Sequence, residues 1–271
     1  MNDSEHGYEV RHKTLCGQTG LIYPYLNIFH SSDWNSATIQ SISLETSSRF
    51  CSSVRCATVL IACGVDAKGH RDVLGCSVSL SEAEVHWRAF LSDLKDRGMY
   101  GVELIVSDAH EGLKAARKAV FPSVPWQRCQ FHLQQNAGHY VPKISLRVPV
   151  AADIRSIFNA PDRDEANHLL GKFLDRYEKT APKLVEWAEE ALPEGFTVFA
   201  LPPSHRRRLR TTNLVERLNE EIRRRTRVAR LFLNEASCLR LVSAILMEIS
   251  EDWQSAERRY VTFPDRDAIE G

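Results

Sequence analysis

A chain of 271 residues with 35 basic and 35 acidic side chains is long enough to bury a substantial core in one or two domains. Its neutral balance sets up no global field that would draw in a nucleic acid or a membrane surface. Cys16, Cys51, Cys56, Cys63, Cys76, Cys129 and Cys238 are an odd set without paired spacing, which excludes a small disulfide scaffold and predicts reduced thiols in the cytoplasm.

The N-terminus is polar, and the longest apolar run lies near Val59 to Val65, so neither an export signal nor a membrane span is predicted. Residues 1–53 hold ten serines and few periodic apolar positions. They are read as a poorly ordered N-terminal segment, with the folded domain beginning near Val54. Thr58 to Val65 and Asp72 to Leu80 have the composition of buried strands, and Asp66-Ala67-Lys68-Gly69 between them suits a tight turn. A hairpin is expected there.

Ser81 and Glu84 have the spacing of a capping box, and Val85, Phe90, Leu91 and Leu94 continue toward Gly98, so a helix is predicted from Ser81 to Arg97. Val102 to Val106 reads as a short strand and Gly112 to Val120 as a helix stopped by Pro122. Beyond His132 helices are expected at about 149–159, 162–178, 181–191, 211–227 and 236–254. Strands alternating with helices define an α/β sheet.

Asp108 follows a buried strand, and the carboxyl ends of strands in open α/β sheets are where ligands collect. It is a candidate metal ligand. The competing reading is local, since Asp108 with Glu111 is itself a capping box. Cys129 and His132 have the gap of a zinc half-site, although no second pair completes four ligands; packing near an active site is the other reading. In Thr211 to Arg225, Asn213, Glu216 and Glu220 fall on one helix face. From Arg206 to Arg230 there are ten arginines against three glutamates, a local excess suited to phosphate contacts or to a solvated ion-paired helix. Trp87, Phe90, Trp187 and Trp253 sit at helical spacing among apolar neighbours and are read as core rather than base-stacking residues.

GVDAKGHRDVLG (64–75), the helix with Trp87 and Leu94, LIVSDAHEGLKAA (104–116), WQRCQFH (126–132), TTNLVERLNEEIRRRTRV (211–228) and Trp253 with Arg258-Arg259-Tyr260 together resemble the Mutator-type transposases of bacterial insertion sequences. Ordered motifs over about residues 54–260 carry the resemblance, which is more specific than any one of them. It implies a ribonuclease-H-like fold, a mixed sheet with residues 54–132 as its first part. A helical insertion at 133–205 and a C-terminal helical part at 206–271 would follow.

The resemblance also implies an Asp, Asp, Glu triad holding Mg²⁺ or Mn²⁺. Asp108 is then the second acid and Glu216 the third, both as catalytic metal ligands. Cys129, His132 and Asn213 support the site, and Arg206, Arg207, Arg208, Arg210, Arg217, Arg223, Arg224 and Arg225 contact DNA. Two divalent ions would activate water or a 3′-hydroxyl for in-line attack on a phosphodiester. The implied partner is double-stranded DNA at insertion-sequence ends and target, bound by a homo-oligomer.

The first acid is expected on the strand preceding Thr58, yet Ile42 to Cys56 contains no aspartate. The triad is therefore expected to be incomplete, with Asp33 and Glu45 as the available stand-ins and Asp66 excluded as a hairpin tip. The family's N-terminal DNA-binding region is unmatched as well, so a truncated or frame-disrupted copy is expected. An inactive DNA-binding remnant that regulates an intact transposase, and a nuclease of the same fold, are the competing functions.

Overall fold

The structure, a computed structural model, describes residues 39–51, 56–66, 68–79, 81–226, 234–257 and 259–262. In chain order the elements are β1 (Ile39–Cys51), β2 (Cys56–Asp66), β3 (Arg71–Ser79), α1 (Glu84–Asp96), β4 (Leu104–Ser107), α2 (Glu111–Val120), β5 (Trp126–Arg128) and α3 (Gln130–Tyr140). There follow α4 (Ile144–Phe158), α5 (Arg163–Tyr177), α6 (Pro182–Ala191), two 3-10 turns (Leu192–Gly195 and Thr197–Ala200), α7 (Pro203–Leu209), α8 (Asn213–Thr226) and α9 (Glu235–Ser255). The fold is mixed α/β and mostly helical, as the alternation of elements predicts.

The five strands lie in the order β3-β2-β1-β4-β5. β1 runs antiparallel to β2 and parallel to β4, β2 runs antiparallel to β3, and β4 runs parallel to β5. Successive side chains of a strand project to opposite faces, so the unbroken apolar run of β2 requires a cover on both sides. Leu60 and Ala62 pack with Leu74, Trp87, Phe90, Leu91, Leu94 and Leu113 under α1 and α2. Val59, Ile61 and Cys63 pack with Leu214, Val215, Leu218, Val242 and Leu246 under α8 and α9. Each such aliphatic side chain, once buried, contributes roughly 1.5–3 kcal/mol, so β2 helps to hold a helical layer on each face of the sheet.

β1 is the strand that the resemblance implies before Thr58, in a stretch whose own composition predicts no element. A central strand normally advertises itself by an apolar run, but Ile39 to Cys51 is rich in serine and threonine and gives no such signal. β5, three residues long, and helices α3 and α7 also went without a prediction of their own.

The predicted cap at Ser81 is not formed. α1 starts at Glu84 with Ala83 at the capping position and no side-chain cap, while Ser79 Oγ donates to the Ser81 carbonyl. The far end is as expected, because Gly98 takes φ 98° and its N–H donates to the Lys95 carbonyl. α4 begins five residues before the predicted start and carries Pro149 inside it. Proline is favoured in a first turn, which is why the sequence places the start there. Trp87 and Phe90 are core residues, as expected, while Trp187 and Trp253 are partly buried against the α3–α6 and α8–α9 clusters.

At the β2–β3 turn, Asp66 Oδ1 accepts from the His70 N–H at 2.7 Å, and Gly69 takes φ 85°. The Gly69 carbonyl accepts from Tyr260 N at 2.8 Å and Val261 N at 3.3 Å, so the C-terminal segment is strapped to the turn. A Cβ on residue 69 would lie 1.8 Å from the Val261 carbonyl oxygen. The φ alone costs an L-residue roughly 1–2 kcal/mol, and relief of the clash would detach the strap. Gly69→Ala is expected to lower the unfolding free energy by at least that amount in urea titration, and to expose Tyr260 to solvent quenching.

Candidate active site

The parallel pairing of β1 with β4 sets Ile42 against Ile105, Ser43 against Val106 and Leu44 against Ser107. One residue further, position 45 of β1 comes level with Asp108, the residue that follows β4. The same position pairs with Ile61 of β2, which belongs to the face covered by α8. β5 ends beside this point, where Cys129 N donates to the Ser107 carbonyl at 2.7 Å. The ends of β4 and β5 and the start of α8 therefore converge.

Asp108 is half-buried. It does not cap α2: the cap position belongs to His110, and Asp108 Oδ1 accepts only a 3.4 Å bond from the His110 N–H. The local capping reading falls because the helix starts two residues too late for it, and the carboxylate is left with most of its acceptor capacity.

Glu216 sits in the first turn of α8. Its N–H and that of Val215 donate to the Thr212 carbonyl at 3.0 and 2.8 Å. The Thr212 hydroxyl lies 3.3 Å from Glu216 Oε1 and 3.4 Å from Cys129 Sγ, and the Thr212 N–H is also 3.4 Å from that sulfur. His132 Nε2 stands 3.8 Å from Glu216 Oε1. One ligand atom each from Cys129, His132 and Glu216 lies within 4.8 Å of the others. Thr212, which is fully buried, holds this group together.

Sequence reasoning missed Thr212 and chose Asn213, which is the exposed first residue of α8 and makes no bond in this group. The available signal was the i, i+4 spacing of Thr212 to Glu216, which puts the two on one face. Of the stand-ins for the first acid, Asp33 lies outside the described residues, and Asp66 is at the hairpin tip as expected. Among the described residues neither Asp108 nor Glu216 is ion-paired with a lysine or arginine. Asp108 and Glu216 therefore offer carboxylate oxygens, the donor type that a hard divalent cation takes.

The eight arginines expected on DNA divide by what already holds them. Arg206 donates to the carbonyls of Leu201, Pro161 and Phe199, and Arg210 to Phe158 O and Asn159 Oδ1. Arg223 donates to the Asn219 carbonyl. Arg224 and Arg225 both pair with Glu221 at 2.6 Å, and Arg225 also pairs with Glu248. Hydrogen bonds from these two guanidiniums push the Glu221 carboxyl down to about 2. Arg207, Arg208 and Arg217 are exposed and in no ion pair among the described residues.

The fold is thus of the mixed α/β class, a five-stranded sheet between helical layers, with Asp108 just after β4 and Glu216 in the first turn of α8. The profile of the Mutator family of transposases matches residues 43–256, and the chain belongs to that family. It is 60% identical over 204 residues to the transposase for insertion sequence element IS406 of Burkholderia multivorans, covering 75% of this chain and 52% of that protein. It is 42% identical over 207 residues to the transposase for ISRM5 of Rhizobium meliloti, covering 76% and 52%. It is 35% identical over 209 residues to the transposase for IS256 in transposon Tn4001 of Staphylococcus aureus, covering 75% and 52%. The chain thus spans about half the length of these curated relatives. Among the described residues no helix is long and apolar enough to cross a membrane.

Proposed function

We propose that this chain carries the catalytic core of an insertion-sequence transposase, and that Glu45 takes the place of the first acid beside Asp108 and Glu216. The observation that carries this reading is the register: position 45 is level with Asp108 across β1 and β4, on rungs covered by the helix that bears Glu216. The strand order and directions support a ribonuclease-H-like sheet, in which acids on the first strand, after the fourth strand and on a covering helix meet. Glutamate has the same charge and donor atoms as aspartate with one more methylene, so it can serve from the same rung.

Glu45, Asp108 and Glu216 would hold Mg²⁺ or Mn²⁺ through carboxylate oxygens. Bound there, the ions supply the Lewis acidity that lets water or a 3′-hydroxyl attack a phosphodiester in line and stabilises the leaving oxygen. Thr212 positions Glu216 by its carbonyl and hydroxyl. His132, 3.8 Å from the Glu216 carboxylate, would donate to a phosphate oxygen. Buried Cys129 fixes the start of α3 and so the direction of His132.

The test is incubation of the chain with labelled DNA carrying the ends of its own insertion sequence, with and without Mg²⁺ or Mn²⁺, scoring binding and strand cleavage separately. Metal-dependent cleavage that disappears in Asp108→Asn and Glu216→Gln is the expected result. Binding without any cleavage by the unaltered chain would replace this reading by that of a DNA-binding remnant.

A further inference from the structure

A positive cluster lies on the α8 side of the sheet, outside the acidic site and built from four separate parts of the chain. Arg71, at the start of β3, stacks on Trp253 of α9 with its guanidinium carbon 4.7 Å from the ring centre, and stands 5.3 Å from the Tyr260 ring. Arg208 of α7 lies 5.2 Å from the same Tyr260 ring, and the Tyr260 hydroxyl donates to the Arg208 carbonyl. Arg217 of α8 is close enough to act electrostatically on both Arg71 and Tyr260. Burial lowers the pKa of Arg71, and the charges of Arg217 and Arg208 lower it further.

Among the described residues none of the three arginines is in an ion pair, whereas Arg224 and Arg225 at the far end of α8 are both matched to carboxylates. One cation over the aromatic rings would suffice to pack the C-terminal strap. Three at one place repel one another, which a fold tolerates when an anion is to sit among them. Planar guanidiniums suit the oxygens of a phosphate better than a point charge does. Glu216 and Arg217 are consecutive on α8, so the cluster begins one residue from the acidic site and turns about 100° around the helix from it.

We propose that Arg71, Arg208 and Arg217, gathered around Tyr260, form a subsite for a backbone phosphate of the DNA strand that runs past the acidic centre. This rests on the transposase reading given above. The subsite fixes the path of the strand and reads no sequence. Arg71 had no place in the arginine-rich run of the sequence. It enters because the hairpin and the Tyr260 strap bring it there.

The experiment is DNA binding by the full chain between 50 and 200 mM salt, comparing the unaltered protein with Arg217→Gln, Arg71→Gln, Arg71→Lys and, as a control, Arg224→Gln. Each lost phosphate contact should reduce the steepness of the log affinity against log salt line by roughly 0.9. That reduction is expected in Arg217→Gln and Arg71→Gln and not in Arg224→Gln, while Arg71→Lys should keep most of the slope. Arg217 is exposed and outside the ring stack, so its variant remains informative even if Arg71→Gln fails to fold. Unchanged slopes in Arg217→Gln, with normal binding by the unaltered chain, would overturn the subsite and leave the transposase reading standing. No DNA binding by the unaltered chain at 50 mM salt would overturn both. Thermal protection by millimolar inorganic phosphate, lost in Arg217→Gln while the DNA slope stays the same, would reassign the cluster to a free anion and overturn the proposal.

Discussion

Glu45→Gln is expected to abolish DNA strand cleavage as completely as Asp108→Asn and Glu216→Gln, while leaving DNA binding intact. Each substitution keeps the shape of the side chain and removes one negative charge from a site that must gather divalent cations at a phosphodiester. Lewis-acid stabilisation of the transferring phosphoryl group is worth several kcal/mol, and each 1.4 kcal/mol is a factor of ten in rate. A loss of about a hundredfold or more in the cleavage rate is therefore expected from each variant. Glu45→Asp should retain measurable cleavage, because the carboxylate is kept and only its reach changes. A Glu45→Gln protein that cleaves at the unaltered rate would remove Glu45 from the site, whatever the other two acids do.

The second large effect is expected at Gln127, a residue of β5 with no exposed surface. Its Nε2 donates to the Arg128 and Gly195 carbonyls at 2.7 and 2.9 Å, and its Oε1 accepts from the Val198 N–H at 2.7 Å. It thereby ties the sheet to the turns that close the helical insertion. That insertion has a core of its own, which includes Leu133, Ile154, Phe173, Leu184 and Phe196, so the bonds that join it to the sheet matter for how it is attached. Arg128 and Lys114 add ion pairs to Glu194 at 2.8 and 3.0 Å, and Gln130 Nε2 also donates to Gly195 O at 2.9 Å.

Gln127→Ala leaves the buried Val198 N–H without its acceptor and opens a void. An unsatisfied buried group costs about 1–3 kcal/mol, and the lost packing adds to it. A destabilisation of about 3 kcal/mol is expected in urea titration, together with slower cleavage, because Cys129 and His132 follow directly after β5. Gln127→Leu fills the void and still lacks the acceptor, so it should recover only part of the loss. Both variants within 0.5 kcal/mol of the unaltered chain would show that the insertion is held by other means.

Much of this architecture is legible in the sequence where local chemistry and burial agree. β2 and β3 announce themselves because β2 is covered on both faces, and Asp66 to Gly69 supply the turn that joins them. α8 is legible from its helix-starting residues and its amphipathic spacing, which leads directly to Glu216. β1 is not legible, since it lies between β2 and β4 without the apolar run that usually marks a central strand. The acid at position 45 gains meaning only from the register, which no periodicity within β1 reveals.

The arginines teach the complementary lesson. Counting charge along Arg206 to Arg230 finds a basic region but cannot separate Arg206 and Arg210, which are tied to carbonyls and an amide oxygen, from Arg208 and Arg217, which are in no ion pair among the described residues. Arg71 joins those two only through the tertiary structure, from a hairpin more than a hundred residues away in sequence. Thr212 is half legible: its i, i+4 spacing to Glu216 shows in the sequence, while its contact with Cys129 across the site does not.

The most direct test of the central claim is metal-directed backbone cleavage, with Fe²⁺ in place of Mg²⁺ and ascorbate and peroxide to generate radicals at the bound ion. Cuts near residues 45, 108 and 216, suppressed together by excess Mg²⁺ and lost in Glu45→Gln, are predicted. Cuts confined to the neighbourhood of Cys129, His132 and Glu216, with β1 untouched, would contradict the account and put the metal in a different site.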